Sequence, residues 1–440
     1  MNIALIGQDI PALLPSLLAD LFFAHRSAAD VRLWEKNEAM RDLLGGYGGA
    51  VCRKAGRGTV RACAAQAEAL EGADCVIYAG DPMAASRFRM DREALSGAGD
   101  NDPGLSDQAR VLGGLGGLMH TLRQGEAVFD ICDAMDAACP DAFVISLGEP
   151  VGRTAAMFAM RGRRAWGLTG GWRKGPGGLN GLLALVGAKP ENVEAEAAGL
   201  PHFCFLTALR DRASGKSLMP ALAAAVREER AGRMAARWLD MFGAVAVGSV
   251  TDHAALMPAQ PDYMPDPDPP LAEPVERRKE RILRMNIVRE KGLGDPEAQA
   301  AQLLLLGGAP AARPVQLALA LLEGRDLTLD AAVRVNRDGA VRNLPREAVV
   351  EAPLRLKRGE SQPVAVTLPG SLAEFCLDAD EAGRLAARAA AGDREALREC
   401  VELDPALAGL DRLYCMDAAR ALIDLHGDVL SRWSGTEEDE

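Results

Sequence analysis

Residues 1–35 read MNIALIGQDIPALLPSLLADLFFAHRSAADVRLWE. The run NIALIG at 2–7 is short, apolar and closed by glycine, the pattern of a strand buried on both faces. PALLPSLLADLFF at 11–23 has the length and apolar content of a helix. DVRLWEKN at 30–37 returns to a strand, which ends at Glu35. A strand, a glycine turn, a helix and a second strand form a βαβ unit, the opening of a parallel sheet.

Working outward, EALEGADCVIYAGDP supplies a further strand and loop, and FVISLGEP and RAWGLTGGW supply two more. GTVRACAAQAEALEGA reads as a helix closed by Gly72, and GEAVFDICDAMDAACPDA as another. Five strands alternating with helices predict a Rossmann-like, doubly wound parallel sheet over residues 1–195. Residues 196–434 mix helical stretches (EERAGRMAARWLDMFGAVA, ERRKERILRMNIVREKG, PVQLALALLEG, and two more near the end) with an antiparallel pair in AVVEAPLRLKRGESQPVAVTLP. They read as an α+β domain. PAQPDYMPDPDPPLAEP at 258–274 holds seven prolines and reads as a loop. Residues 435–440 are an acidic tail.

The first βαβ unit can hold a dinucleotide. Gly7 and Gln8 stand at the turn that would approach the phosphates, Glu35 ends the second strand where a carboxylate can take the ribose hydroxyls, and Asp81 follows the next strand. Two details depart from that pattern. The turn reads G-Q-D-I-P, not G-x-G-x-x-G, and Asp9 would repel a phosphate unless it faces away and caps the helix. Glu35 also lies 28 residues beyond Gly7 (35 − 7), later than the usual spacing of about 20. From these residues alone, the unit is either a dinucleotide site or a doubly wound sheet without one.

A net charge of −12 argues against nucleic acid and against an anionic membrane surface as partners. No apolar run reaches the length of a membrane span, and the first ten residues lack a signal peptide's basic start, so a cytoplasmic protein is expected. The nine cysteines include no C-x-x-C pair, which removes zinc knuckles and thioredoxin-like redox chemistry.

Several segments resemble, in order, the motifs of glycoside hydrolase family 4. They are EALEGADCVIYAG, SRFRMDREAL, GGLGGLMHTLRQGEAVFDICDAMDAACPDAFVISLGEP, AAGLPHFCFL, MFGAVAVGSVTDHAALMP, VRNLPREAVVEAPLRLKRGESQPVAVTLP and AAAGDREALRECVELDPAL. The resemblance implies a chain built like lactate and malate dehydrogenases and assembled as a homodimer or homotetramer. It implies an NAD-dependent glycosidase that oxidises a sugar at C3, eliminates the aglycone, adds water and returns the hydride. A divalent metal, usually manganese, would polarise the sugar oxygens. Arg173, Lys174 and the other arginines hint at an acidic or phosphorylated sugar.

The resemblance also distributes roles. His202 matches a metal-ligating, substrate-side histidine on a strand. A hydrogen-bonded core histidine is the competing reading. Cys204, two residues on, would share its face. Glu149 stands where the family has asparagine and would touch substrate or cofactor, or only close a turn. Thr169 and Gly170 stand where the family carries a metal-binding cysteine and its acidic or imidazole neighbour. Arg123 and Arg89, with Arg87 and Asp91, match polar groups that reach the substrate region. Asp252 and His253 match an Asp-His stretch that orients hydroxyls or relays a proton, and Tyr263 is a further candidate base. The alternatives are an NAD-dependent sugar or hydroxy-acid oxidoreductase, and a family member that binds sugar or nucleotide without turnover.

Overall fold

A computed structural model of the chain describes residues 1–80, 84–98, 110–170, 172–173, 177–258, 286, 312–362 and 364–433. β1 (Asn2–Ile6) lies at the middle of a parallel array. Ile3 and Leu5 point into one core, while Ala4 and Ile6 point into another. Both cores are dry, so the strand shows no hydrophobic alternation. One core is covered by α1 (Ile10–Ala19), α2 (Glu38–Ala55) and the helix Ala312–Glu323. The other lies under the helices Gly114–Ala138 and Val151–Met160 and the C-terminal helices.

β2 (Asp30–Trp34), β3 (Thr59–Ala62), β4 (Cys75–Tyr78), β5 (Phe143–Ser146) and β6 (Ala165–Gly167) complete the parallel half in the order β3-β2-β1-β4-β5-β6. The half has six strands where five were expected. GTVRACAAQAEALEGA divides: its start is the edge strand β3, paired Val31 to Val60, and only Gln66–Leu70 is helical. Thr59 and Val60 are β-branched and the edge of β2 offers them a ladder, which overrides the helix preference of the alanines.

β7 (Val193–Leu200), β8 (Phe203–Asp211), β9 (Val245–Val247), β10 (Leu327–Val335), β11 (Val349–Lys357) and β12 (Glu360–Gln362) continue the same sheet antiparallel, in the order β6-β10-β11-β7-β8-β9 with β12 on β11. The antiparallel pair expected in AVVEAPLRLKRGESQPVAVTLP is β11 and β12. ERRKERILRMNIVREKG and nearly all of the proline-rich stretch lie outside the described residues.

One row of paired residues crosses the sheet from β2 to β9. It runs Trp34, Ile6, Tyr78, Ser146, Gly167, Val333, Glu351, Gly199, Cys204, Val247. On the parallel side the row marks the carboxyl ends of the strands. Gly7, Glu35, Gly80, Glu149 and Thr169 therefore all emerge at one edge, where open α/β sheets bind ligands. On the antiparallel side it brings the β7–β8 turn and the residues after β9 to the same level.

Candidate active site

The crevice begins between β1 and β4, where the strand order reverses. Gly7 has φ +131°, and a Cβ there would meet the Gly80 carbonyl oxygen at 2.7 Å. The Gln8 N–H donates to that same oxygen over 2.7 Å. A Cβ on Gly80 would in turn meet the Cα of Gly148 at 2.9 Å. Three strand-end turns thus pack backbone against backbone, which only glycine permits. On the other side of β1, Glu35 is 5% exposed at the end of β2 and accepts a hydrogen bond from the Asn37 N–H. Asn37 caps α2. Gly7, Gln8 and Glu35 thus stand at the carboxyl ends of the neighbouring strands β1 and β2. Asp81 lies outside the described residues.

Beyond β5, the loop Leu147–Pro150 carries Glu149 into a cis peptide with Pro150 and leads into the helix Val151–Met160. The Glu149 carboxylate accepts from the Val151 N–H over 3.0 Å and faces His202 Nε2, also at 3.0 Å. The other ring nitrogen, Nδ1, lies 3.4 Å from Asp252. Asp252 sits in the first turn of the helix Val250–Ala255, whose N-cap is the Ser249 side chain. One imidazole is thus flanked by two carboxylates, from the ends of β5 and β9. Burial disfavours charge on His202, but Glu149 and Asp252 outweigh it and hold the ring's pKa well above its ordinary value. Burial likewise works against both carboxylates, and His202 nevertheless draws each below its usual range.

His202 is not on a strand. It occupies the Pro201–His202 turn between β7 and β8, with φ +65°. Its backbone N–H donates to Glu351 over 2.9 Å, and the Thr169 hydroxyl donates to the other oxygen of that carboxylate over 2.6 Å. Glu351 is 2% exposed, in the middle of the sheet. It ties the loop after β6 to the turn that presents His202. Because His202 leaves the strand, Cys204 does not share a face with it: its thiol contacts the carbonyls of Leu200 and Glu351.

Several candidate site residues have partners away from the crevice. The His253 ring is buried, stacked on Trp238, with its nitrogens 2.8 Å from the Ser249 carbonyl and 3.0 Å from that of Cys204. It clips the Asp252 helix to β8 and does not face the crevice. Arg123 is buried and bidentate on Asp91 (3.1 and 2.8 Å), and Asp91 also takes His426 Nε2. Arg87 pairs with Asp428. These contacts lock the helix Ala84–Ala98 to the C-terminal segment. Arg89 on that helix is exposed. Arg173 lies over the Trp172 ring and pairs with Asp330. Tyr263 and Lys174 lie outside the described residues.

Sequence reasoning missed Glu351. Its signal was a single glutamate inside the apolar run AVVEAPL, where a buried strand tolerates a carboxylate only if donors meet it.

Residues 15–168 match the model of the family 4 glycosyl hydrolases, and residues 197–407 match that of the family 4 glycosyl hydrolase C-terminal domain. The chain belongs to glycosyl hydrolase family 4. Family 4 structures share its fold over nearly its full length. The glucosidase-named lplD of Bacillus subtilis is 19% identical, with a TM-score of 0.75, covering 96% of this chain and 99% of that one. A 6-phospho-alpha-glucosidase from gut microorganisms, solved with NAD and Mn2+, is 15% identical, with a TM-score of 0.72 and 97% and 98% covered. The Thermotoga maritima 6-phospho-beta glucosidase, solved with NAD and glucose-6-phosphate, is 15% identical, with a TM-score of 0.71 and 98% and 99% covered. Among the described residues of this family 4 chain, no helix is long and apolar enough to cross a membrane.

Proposed function

We propose that this family 4 protein is an NAD-dependent glycosidase that oxidises its sugar transiently, eliminates the aglycone and adds water. The observation that carries the reading is the imidazole of His202 held between Glu149 and Asp252 beside a switch-point crevice. The crevice can take a dinucleotide, because Gly7 and Gly80 let the backbone turns at the ends of β1 and β4 pack directly together at the switch point, and Glu35 stands at the end of β2. When bound, NAD supplies a reversible hydride acceptor for a sugar hydroxyl.

The residues of this chain then handle protons. Oxidising a hydroxyl releases one, and elimination needs a base at the adjoining carbon and an acid at the departing oxygen. Glu149 and Asp252 are half-exposed carboxylates held ionised, suited to accept protons. The His202 imidazolium, held charged by the two carboxylates, is the proton donor between them. Glu351 fixes where the ring stands by holding its backbone N–H.

The donor set does not match a divalent ion. Both nitrogens of His202 face carboxylates, the Thr169 hydroxyl is given to Glu351, and among the described residues no group of three His, Cys, Asp or Glu side chains is arranged for a metal. Arg123 and Arg173 are engaged by Asp91 and Asp330, so an acidic sugar forms no part of the proposal.

The test is turnover of a panel of nitrophenyl glycosides and glycuronides with NAD, with and without manganese. Nitrophenol release without net NADH supports the glycosidase. Net accumulation of NADH supports the second reading, a sugar or hydroxy-acid oxidoreductase, which the same His-carboxylate pairing would serve. The family resemblance further supports a homodimer or homotetramer, which light scattering would measure.

A further inference from the structure

A cavity opens beside His202 and Pro150 and runs between the helices Val151–Met160 and Gly370–Ala389. Its walls are apolar, chiefly Leu112, Ala156, Leu200, Leu256, Val349 and Ala379. Arg153, Asp380 and Arg384, which border it, each have a partner. Arg153 donates to the Thr121 hydroxyl over 2.9 Å, and Asp380 accepts from the Val349 N–H over 2.7 Å and from Arg384 Nε over 2.9 Å. At the deep side Gly383 has no side chain, and a Cβ there would meet only Arg153 Nε, at 4.0 Å.

Resting on the reading of the site as a glycosidase centre, we propose that this cavity is the subsite for the leaving group, and that it selects an apolar, aryl-sized aglycone. His202 and Pro150, the residue after Glu149, both line it, so a glycoside whose sugar sits against His202 and Glu149 can send its aglycone into it. A second sugar ring there would bury hydroxyls against walls with few groups left to bond them, which is unfavourable. A flat apolar ring loses water and gains wall contacts.

Gly383→Leu fills the cavity from a helix position that prefers leucine to glycine. Gly383→Ala adds one methyl and serves should the larger change fail to fold. The experiment compares kcat/KM for a 4-nitrophenyl glycoside and the methyl glycoside of the same sugar. We expect Gly383→Leu to lower the value for the nitrophenyl substrate by about tenfold or more, Gly383→Ala to lower it less, and the methyl substrate to change by less than about twofold. Parallel losses on both substrates, or none on either, overturn the subsite. If the wild-type protein hydrolyses no glycoside, the glycosidase reading fails, and calorimetry with 4-nitrophenol alone then decides the cavity. Binding by wild type that Gly383→Leu abolishes upholds an aryl site, and no binding by wild type overturns it.

Discussion

The Nε2 of His202 lies 3.0 Å from Oε2 of Glu149, a residue 53 positions earlier in the chain. The two come from different halves of the sheet, one from the end of a parallel strand and one from an antiparallel turn. Their meeting places a charged donor and a charged acceptor at the same point of the crevice. Replacing Glu149 by glutamine keeps a hydrogen bond to the ring and removes the charge. We expect kcat to fall by about 10²- to 10³-fold, with a smaller change in KM. Steady-state kinetics on the best nitrophenyl substrate checks this, and a change confined to KM would mean that Glu149 only binds.

Glu351 acts at one remove, through the Thr169 hydroxyl and the His202 N–H. Glu351→Ala leaves both donors buried without their carboxylate, so a loss of about 2–4 kcal/mol in unfolding free energy is expected. Glu351→Gln keeps one acceptor and should lose less. Denaturant melts of the two variants give the ranking. Equal losses would show that the carboxylate does not hold the turn.

Much of this arrangement is visible in the sequence, and the reason is locality. NIALIG followed by a helix and by DVRLWE specifies a strand order because each element carries its own periodicity and its own stop. Glu149 and Asp252 lie next to strand ends, where the row of paired residues converges. Arg123 misled for the opposite reason. A charged residue on a largely buried helix reads as a ligand-binding group, yet only the fold shows that Asp91, 32 positions before it, meets it first. The turn at Pro201–His202 was likewise hidden, since GLPHFCF is apolar enough to read straight through as a strand.

Gly7→Ala tests the crevice. The added Cβ would strike a backbone oxygen at 2.7 Å, and φ +131° is strained for any side chain. The end of β1 must shift away from β4. We expect the rise in melting temperature given by NAD to wild type to be lost in the variant, while the ligand-free melting temperature falls by several degrees. An unchanged NAD response would place the cofactor elsewhere.

Asp91→Asn addresses the buried lock. Asp91 is fully buried and receives both Arg123 and His426. A neutral amide leaves the Arg123 guanidinium buried without a counter-charge, at a cost of about 3–5 kcal/mol. If Arg123 served the substrate instead, the variant would change KM while its melting temperature stayed near that of wild type. Measuring both separates the two roles.

The remaining prediction concerns pH and stands apart from the site. Asp20 lies at the end of α1, in a π-helical turn over Asp20–Ala24, with its Oδ2 buried and lacking a hydrogen-bond partner. His25 Nε2 lies 3.6 Å from the other oxygen, but burial lowers that ring's pKa and so weakens it as a counter-charge. Burial pushes the Asp20 carboxyl from 3.8 up to about 7. Between those values the folded chain keeps a proton that the unfolded chain releases. The folded state therefore binds more protons, and this group makes stability fall as pH rises from about 4 to about 7. Below that window both states are protonated and the contribution vanishes, while above it the penalty is constant. Asparagine never ionises, so Asp20→Asn should be more stable than wild type by about 2–4 kcal/mol at pH 8. It should match wild type more closely at pH 3.5, where the aspartate is also neutral. Urea melts of both proteins across this range measure the difference, and a gap that stays constant with pH would show that folding does not shift the ionisation of Asp20.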